Sequence, residues 1–253
     1  MIIQSSTFSL FFAPNSGIRE SIFKLEKHFG DFQKPFTLIP LPQDAPLEIP
    51  RIIANTISGH SQLSICGNNM QLLTRYDSNF NSDVSKCVGY VREKCRSIVD
   101  SLSIINEGKE NGTAFYYSGL SMTLTFEDLN IVNDCADYLF KKYFKCTTDL
   151  PLDEVQLHFA LVFENKYYIN VMAKSNRQFF GIPDERGSLA GLKTAGENLQ
   201  IVIDINDRYA FNHERNYCSS LECVEAIAKL TEDFISSNID DFIAKGEIIY
   251  GDK

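Results

Sequence analysis

The densest group of residues able to do chemistry lies in "DINDRYAFNHERNY", which gathers Asp204, Asn206, Asp207, Arg208, His213, Glu214 and Arg215 into one short stretch. Carboxylates beside an imidazole can move protons or hold a metal, so Asp204, Asp207, His213 and Glu214 form the candidate catalytic set. The residues before them, "NLQIVIDIN", read as a strand. Side chains alternate along a strand, so Asp204 and Asn206 share a face and can point together toward a ligand. The same stretch also suits a strand end, a solvated turn and the lead-in to a helix, with Arg208 and Arg215 paired to nearby acids. Both readings stand at this point.

A second group is "SNRQFFGIPDERG", in which Arg177 and Arg186 accompany Phe179 and Phe180. Arginine with aromatics suits a protein interface or base stacking on a single strand, and burial of the two rings under the following loop is the competing reading. That loop, Gly181 to Gly196, has the glycines of a phosphate loop without its order or its Lys-Ser/Thr ending, and it reads as a connection between strands. No G-x-S-x-G elbow, P-loop or G-x-G-x-x-G motif occurs. The seven cysteines include no CxxC pair and no His/Cys cluster with zinc spacing, so no metal and no cofactor is expected. Cys87, Cys95, Cys135 and Cys223 fall on or beside apolar helical stripes, where a thiol packs as a small hydrophobe. His28, His60 and His158 stand apart from one another.

Charge narrows the classes of partner. The 253 residues carry 24 basic and 33 acidic side chains, a formal net charge of −9, which opposes a broad electrostatic grip on phosphate backbones. From Ser219 to Lys253 eight acids face three lysines, so this segment alone supplies −5 of that excess. Its helical pattern puts Val224, Ile227, Ala228, Phe234, Ile235, Phe242 and Ile243 on an inner stripe. Glu222, Glu225, Glu232, Asp233, Asp240 and Asp241 are left outside it. Glu232, Asp233, Asp240 and Asp241 are the candidate binding residues of this face, with simple solvation as the alternative. No apolar run reaches the roughly 20 residues of a membrane span. The absence of a secretory pattern, together with the cysteine usage, implies a cytoplasmic protein.

The elements that must position these residues follow from periodicity and punctuation. "STFSLFFAP" reads as a strand and "NSGIRESIFKLEKHFG" as a helix. Five prolines between Pro35 and Pro50 exclude helix or central strand there. "RIIANTIS", "SQLSICG" and "NMQLLTRYD" form an antiparallel meander, and a long helix runs through "SDVSKCVGYVREKCRSIVDSLSII". The order then restarts: strand "GTAFYYSGLSMTLTF", helix "EDLNIVNDCADYLFKKYF", a hairpin turning at Glu164-Asn165-Lys166, strand "NLQIVIDIN" and a closing long helix. Asn69-Met70-Gln71-Leu72-Leu73 matches Asn198-Leu199-Gln200-Ile201-Val202, and Cys87, Val88, Val91, Ile98 and Val99 match Cys223, Val224, Ile227, Phe234 and Ile235. The expectation is an α+β fold of two duplicated β-α-β-β-β-α units, 1–108 and 109–253, with antiparallel sheet and helices on one face. In element order alone this resembles the saddle of the TATA-binding protein.

The run "SQLSICGNNMQLLTRYD" into its helix, answered by "NLQIVIDIN", resembles a sporadically distributed family of uncharacterised bacterial proteins of similar size. The family's Thr-x-Tyr element corresponds to Thr74, Arg75 and Tyr76, and its "D-I-D"-like segment to Asp204, Ile205 and Asn206. The family's early Pro-Pro segment with a following glutamate has no counterpart here. The resemblance implies a bacterial accessory protein and lends no catalytic residue. Without a nucleophile–base set, the sequence points to a non-catalytic interaction or regulatory module that meets another protein. The alternatives are a small-ligand or nucleotide-processing enzyme built on residues 204–215, or a nucleic-acid mimic or binder.

Overall fold

The computed structural model describes all residues except 43, 109–111, 127–134, 145, 183–184, 187, 189–191 and 250–253. Among the described residues nine strands form one antiparallel sheet: β1 (Ile2–Phe11), β2 (Thr37–Leu38), β3 (Ile52–Asn55), β4 (Ser61–Ile65), β5 (Asn69–Arg75), β6 (Tyr117–Phe126), β7 (Gln156–Phe163), β8 (Tyr167–Phe180) and β9 (Lys193–Asn206). Their order across the sheet is β2-β3-β4-β5-β1-β6-β9-β8-β7. The expected α+β class holds, and the two stretches that read as separate units share one continuous sheet. Strands of residues 1–108 lie on one side of the β1/β6 pair and those of the later stretch on the other.

Strict alternation decides which face is covered. Phe8 and Leu10 of β1, Leu120, Met122 and Leu124 of β6, and Leu199, Ile201, Ile203 and Ile205 of β9 are all buried on one face. Against that face pack α2 (Val84–Ile105) and α5 (Leu221–Lys245), which also contact each other. Asp83 caps α2 by accepting from the Lys86 amide at 3.0 Å, and Ser220 caps α5 through the Cys223 amide at 3.4 Å. Gly246, at φ 76°, ends α5 in the left-handed conformation that suits glycine. Every residue assigned to the inner stripe of α5 is buried, and so are Cys87, Cys95, Cys135 and Cys223.

The shorter helices are α1 (Ile22–His28), entered through a 3-10 turn at Ile18–Ser21, α3 (Cys135–Tyr143) and α4 (Arg208–His213). The first part of the expected helix from Glu127, with Leu129 and Val132, lies outside the described residues. Tyr143 of α3 donates to the Phe242 carbonyl at 2.6 Å, while Tyr138 and Lys142 donate to Ile243 and Ala244. Three side chains thus bond carbonyls of the last turn of α5, two of which, on Ile243 and Ala244, the helix leaves without an amide partner.

Two expectations are revised. The connection expected over Gly181 to Gly196 is shorter, because residues 193–196 already belong to β9 and pair with β8. Period-2 alternation is missing from "LKTAGEN", so pairing with β8 rather than apolar pattern carries this end of the strand. The stretch after Asn206, expected as an irregular connection, forms the single short helix α4. The hairpin at Glu164-Asn165 stands as expected, with both residues at φ 50°, the left-handed values of a tight type I′ turn.

Candidate functional site

Among the described residues α2 and α5 leave the middle of the other face open and polar, while α4 packs Tyr209 against Tyr168 and Phe211 against Tyr117 at one end of it. Register places Gln62, Leu73, Thr7, Ser121, Asp204 and Asn170 in one row across six strands, and Ser64, Gln71, Ser9, Gly119, Asn206 and Tyr168 in the next. A recess of about 230 Å³ opens where β1, β6 and β9 meet, with the hydroxyls of Thr7, Ser9 and Ser121 and the groups of Asp204 and Asn206 lining it. Gly119 keeps its floor low: a Cβ there would come within 2.8 Å of the Asn206 Cβ. Phe11 and Tyr117 stack at 4.4 Å to form a wall, and the Arg208 guanidinium lies 5.5 Å from the Tyr117 ring centre.

Asp204 is the acidic group of this recess, which Arg208 also lines. Its Oδ2 accepts from Asn170 Nδ2 and from Asn206 Nδ2, each at 2.8 Å. Neither amide bonds Oδ1, which stays available to a ligand. Burial pushes the Asp204 carboxyl above the usual carboxylate range, and the two amide donors pull it back. The expected convergence of Asp204 and Asn206 is therefore present as geometry. Asn170, which completes the arrangement, was not singled out from the sequence. Its only signal there is an amide alternating with the apolar residues Ile169 and Val171.

The remaining candidate catalytic residues do not gather around Asp204. Asp207 is fully buried beyond the strand end, where it accepts from the Ser118 amide at 2.6 Å, from Tyr217 Oη at 2.7 Å and from Ser219 Oγ. It ties the start of β6 to the lead-in of α5. Burial raises its carboxyl above the ordinary range against the pull of those donors. His213 is exposed, stacks on Tyr209 at 4.1 Å and bonds the Tyr209 carbonyl through Nδ1. Glu214 caps the end of α4 and is exposed. No group of three His, Cys, Asp or Glu able to hold a metal occurs among the described residues.

The other candidates divide between exposure and structural pairing. Residues 175–180 of β8 and 193–198 of β9 run beyond the strands that flank them, as a two-stranded ribbon. Near its tip Phe180 is 74% and Ile182 92% exposed, while Phe179 sits at the margin, so the rings are not covered by the loop. Arg177 pairs with Asp153 at 2.8 Å, and Arg186 is exposed. On α5, Glu225 is held by Arg92 and Arg96 of α2. Glu232 accepts from Ser85, and Asp241 pairs with Lys245 at 2.9 Å. Asp233 and Asp240 are exposed. The acidic outer face is therefore partly consumed in joining the two long helices.

No helix among the described residues is long and apolar enough to cross a membrane. No protein-family model matches the chain, and no curated protein matches it.

Proposed function

We propose that this protein is a non-catalytic binding module whose open sheet face takes up a basic side chain of a partner protein. The observation that carries this reading is Asp204: a half-buried carboxylate in the middle of an uncovered sheet, one oxygen fixed by two amides and the other left for a ligand. A lysine or arginine would lay its aliphatic stem along the Phe11–Tyr117 wall and bring its cationic head to Oδ1, with the three hydroxyls taking its remaining donors. The recess, at about 230 Å³, is smaller than the roughly 300–1,000 Å³ of ordinary small-molecule sites, which favours one side chain over a whole metabolite. A net charge of −9 would draw a basic partner to the surface and speed encounter.

The dispersal of Asp207, His213 and Glu214 supports binding over catalysis at this place. Seven free cysteines support a reducing, cytoplasmic setting. Internal duplication draws support from facing: Asn69 and Asn198, Met70 and Leu199, and Leu72 and Ile201 are all buried, whereas Gln71 and Gln200 lie on the open side.

The test is titration of the isotopically labelled protein with a short arginine-rich peptide, followed by amide chemical shifts. Gly119, Ser121 and Asn206 should move together and saturate, and Asp204→Asn should abolish the response while leaving the fold unchanged. Shifts confined to the Asp233 and Asp240 face of α5, or a response that survives Asp204→Asn, would overturn this reading.

A further inference from the structure

A second site lies toward the β2/β3 edge of the sheet, beside the proline-rich segment before β3. Two arginines line one cavity there, together with Ser16, Gly17, Glu20, Pro42 and Leu47, and its volume is about 450 Å³. Arg51 is buried, at 7% exposed. It donates through Nη1 to the Ile49 carbonyl and through Nη2 to the Ala45 carbonyl, both at 2.8 Å. Arg19 donates through Nη1 to the Leu41 carbonyl at 3.2 Å and through Nη2 to the Ile39 carbonyl at 2.5 Å. Its Nε is buried and has no hydrogen-bond partner.

These carbonyl contacts explain part of the arrangement. A segment with prolines at 40, 42, 46 and 50 lacks four backbone donors and pairs with itself at only a few amides, and the two guanidiniums supply donors to its remaining carbonyls. The segment is also seated closely on the β4–β5 turn. Leu47 accepts from the Gly67 amide at 2.7 Å, and a Cβ on Gly67 would approach Leu47 Cδ2 to 2.5 Å.

Pinning the loop leaves the charge unexplained. Among the described residues no carboxylate forms an ion pair with Arg19 or Arg51, and two buried or half-buried cations without a counter-ion are costly. The one acid at the cavity, Glu20, is exposed. Two guanidiniums against one carboxylate leave the site with a net positive charge, with an orphan N–H donor, a serine hydroxyl and apolar walls beside it.

We propose that this cavity is a binding site for the oxyanion group, phosphate or carboxylate, of a small molecule. Guanidinium is the side chain best matched to such groups, because its fan of donors meets two oxygens at once and it stays charged at any physiological pH. At about 450 Å³ the cavity falls within the size of ordinary small-molecule sites, unlike the open-face recess. Because the ligand's anion would neutralise the residues that pin the segment 39–51, occupancy would tighten the edge of the sheet at β2 and β3. The inference does not depend on the role of Asp204.

The experiment titrates the full chain with inorganic phosphate and, separately, with succinate, at constant ionic strength, following the amide shifts of Ser16, Gly17 and Arg19. A saturable response confined to these residues is expected, and the stronger of the two titrations identifies the preferred anion. Glu20→Gln removes an exposed competing charge and should tighten binding by about two- to fivefold. Arg19→Lys keeps the charge but loses the fork and the Nε donor, and should weaken binding at least tenfold. A linear, unsaturated response to both anions, or affinities unchanged in both variants, would overturn the proposal. Glu20→Gln keeps it testable should Arg19→Lys loosen the loop.

Discussion

Asp204 and Asp207 stand three residues apart, one within β9 and one just past its end, and are put to opposite uses. Past the strand end Asp207 is wholly enclosed and accepts three hydrogen bonds, from an amide and two hydroxyls, that join β6 to the approach of α5. On the open face Asp204 has one oxygen steadied by Asn170 and Asn206 and the other free. Burial pushes both carboxyls up. A polar residue whose partners are all internal is architecture. One whose partners hold only half of it is available for recognition.

Removing Asp207 is the sharpest way to break this comparison. Asp207→Ala strands three donors, two of them buried, at about 1–3 kcal/mol each, so a loss of roughly 3–9 kcal/mol is expected in urea unfolding. Asp204→Asn should shift the same transition by less than about 1 kcal/mol, since its surroundings are open to water. Comparable losses in the two would erase the distinction between the two carboxylates.

Gly119→Val asks whether the floor of the recess must be low. Its Cβ would meet Asn206 across the β6–β9 pairing, and about 1–3 kcal/mol of strain is expected by thermal unfolding, together with loss of any response at the recess. A fully stable variant would mean that Asn206 yields easily and does not fix Asp204.

The pH dependence sharpens the account of Asp207. A folded carboxyl raised above its unfolded value of 3.8 makes the native state bind its proton more tightly than the unfolded chain does. Its contribution is complete below 3.8 and is lost as pH rises through the folded value. The stability of the wild type relative to Asp207→Asn, measured by urea titration at a series of pH values, should therefore fall across that window. A rise would show that the three donors outweigh burial. Glu225 slopes the other way: burial raises it, but Arg96 and Arg92 hold it below the usual range, so its contribution is lost as pH falls through its folded value.

The smallest expected effect tests the helical face. Replacing Glu232, Asp233, Asp240 and Asp241 with lysine should change stability by only about 0.5 kcal/mol per site and leave binding of an arginine-rich peptide at Gly119 and Ser121 in place, slowed in association. Loss of that saturable response would move the site from the sheet to α5.

Legibility followed periodicity. The stripe of α5 repeats often enough for each position assigned to its inner side to be buried, although Leu230, Thr231, Asn238 and Ile239 are buried there as well, and strand alternation put Asp204 beside Asn206. Asp207 escaped because the chain leaves the strand at Asn206, where period 2 ceases to say which way a side chain turns. Asn170 escaped because its meeting with Asp204 depends on the register of β8 against β9, a long-range pairing that no local pattern encodes. Helix α4 has only six residues, too few for a stripe. The cavity beside the proline-rich segment needed knowledge of how that segment folds back on Arg19 and Arg51, although the run of prolines did announce a backbone in want of donors.

The strand order carries one more implication. Each half of the chain keeps its strands together, and among the described residues the halves meet chiefly through the β1/β6 ladder and the packing of α2 on α5. A nick between Ile105 and Phe115 would leave two pieces that are each other's natural complement, one contributing β1 and α2, the other β6 and α5. Co-expressed fragments cut there should reassemble, which would make the pair a reporter of proximity.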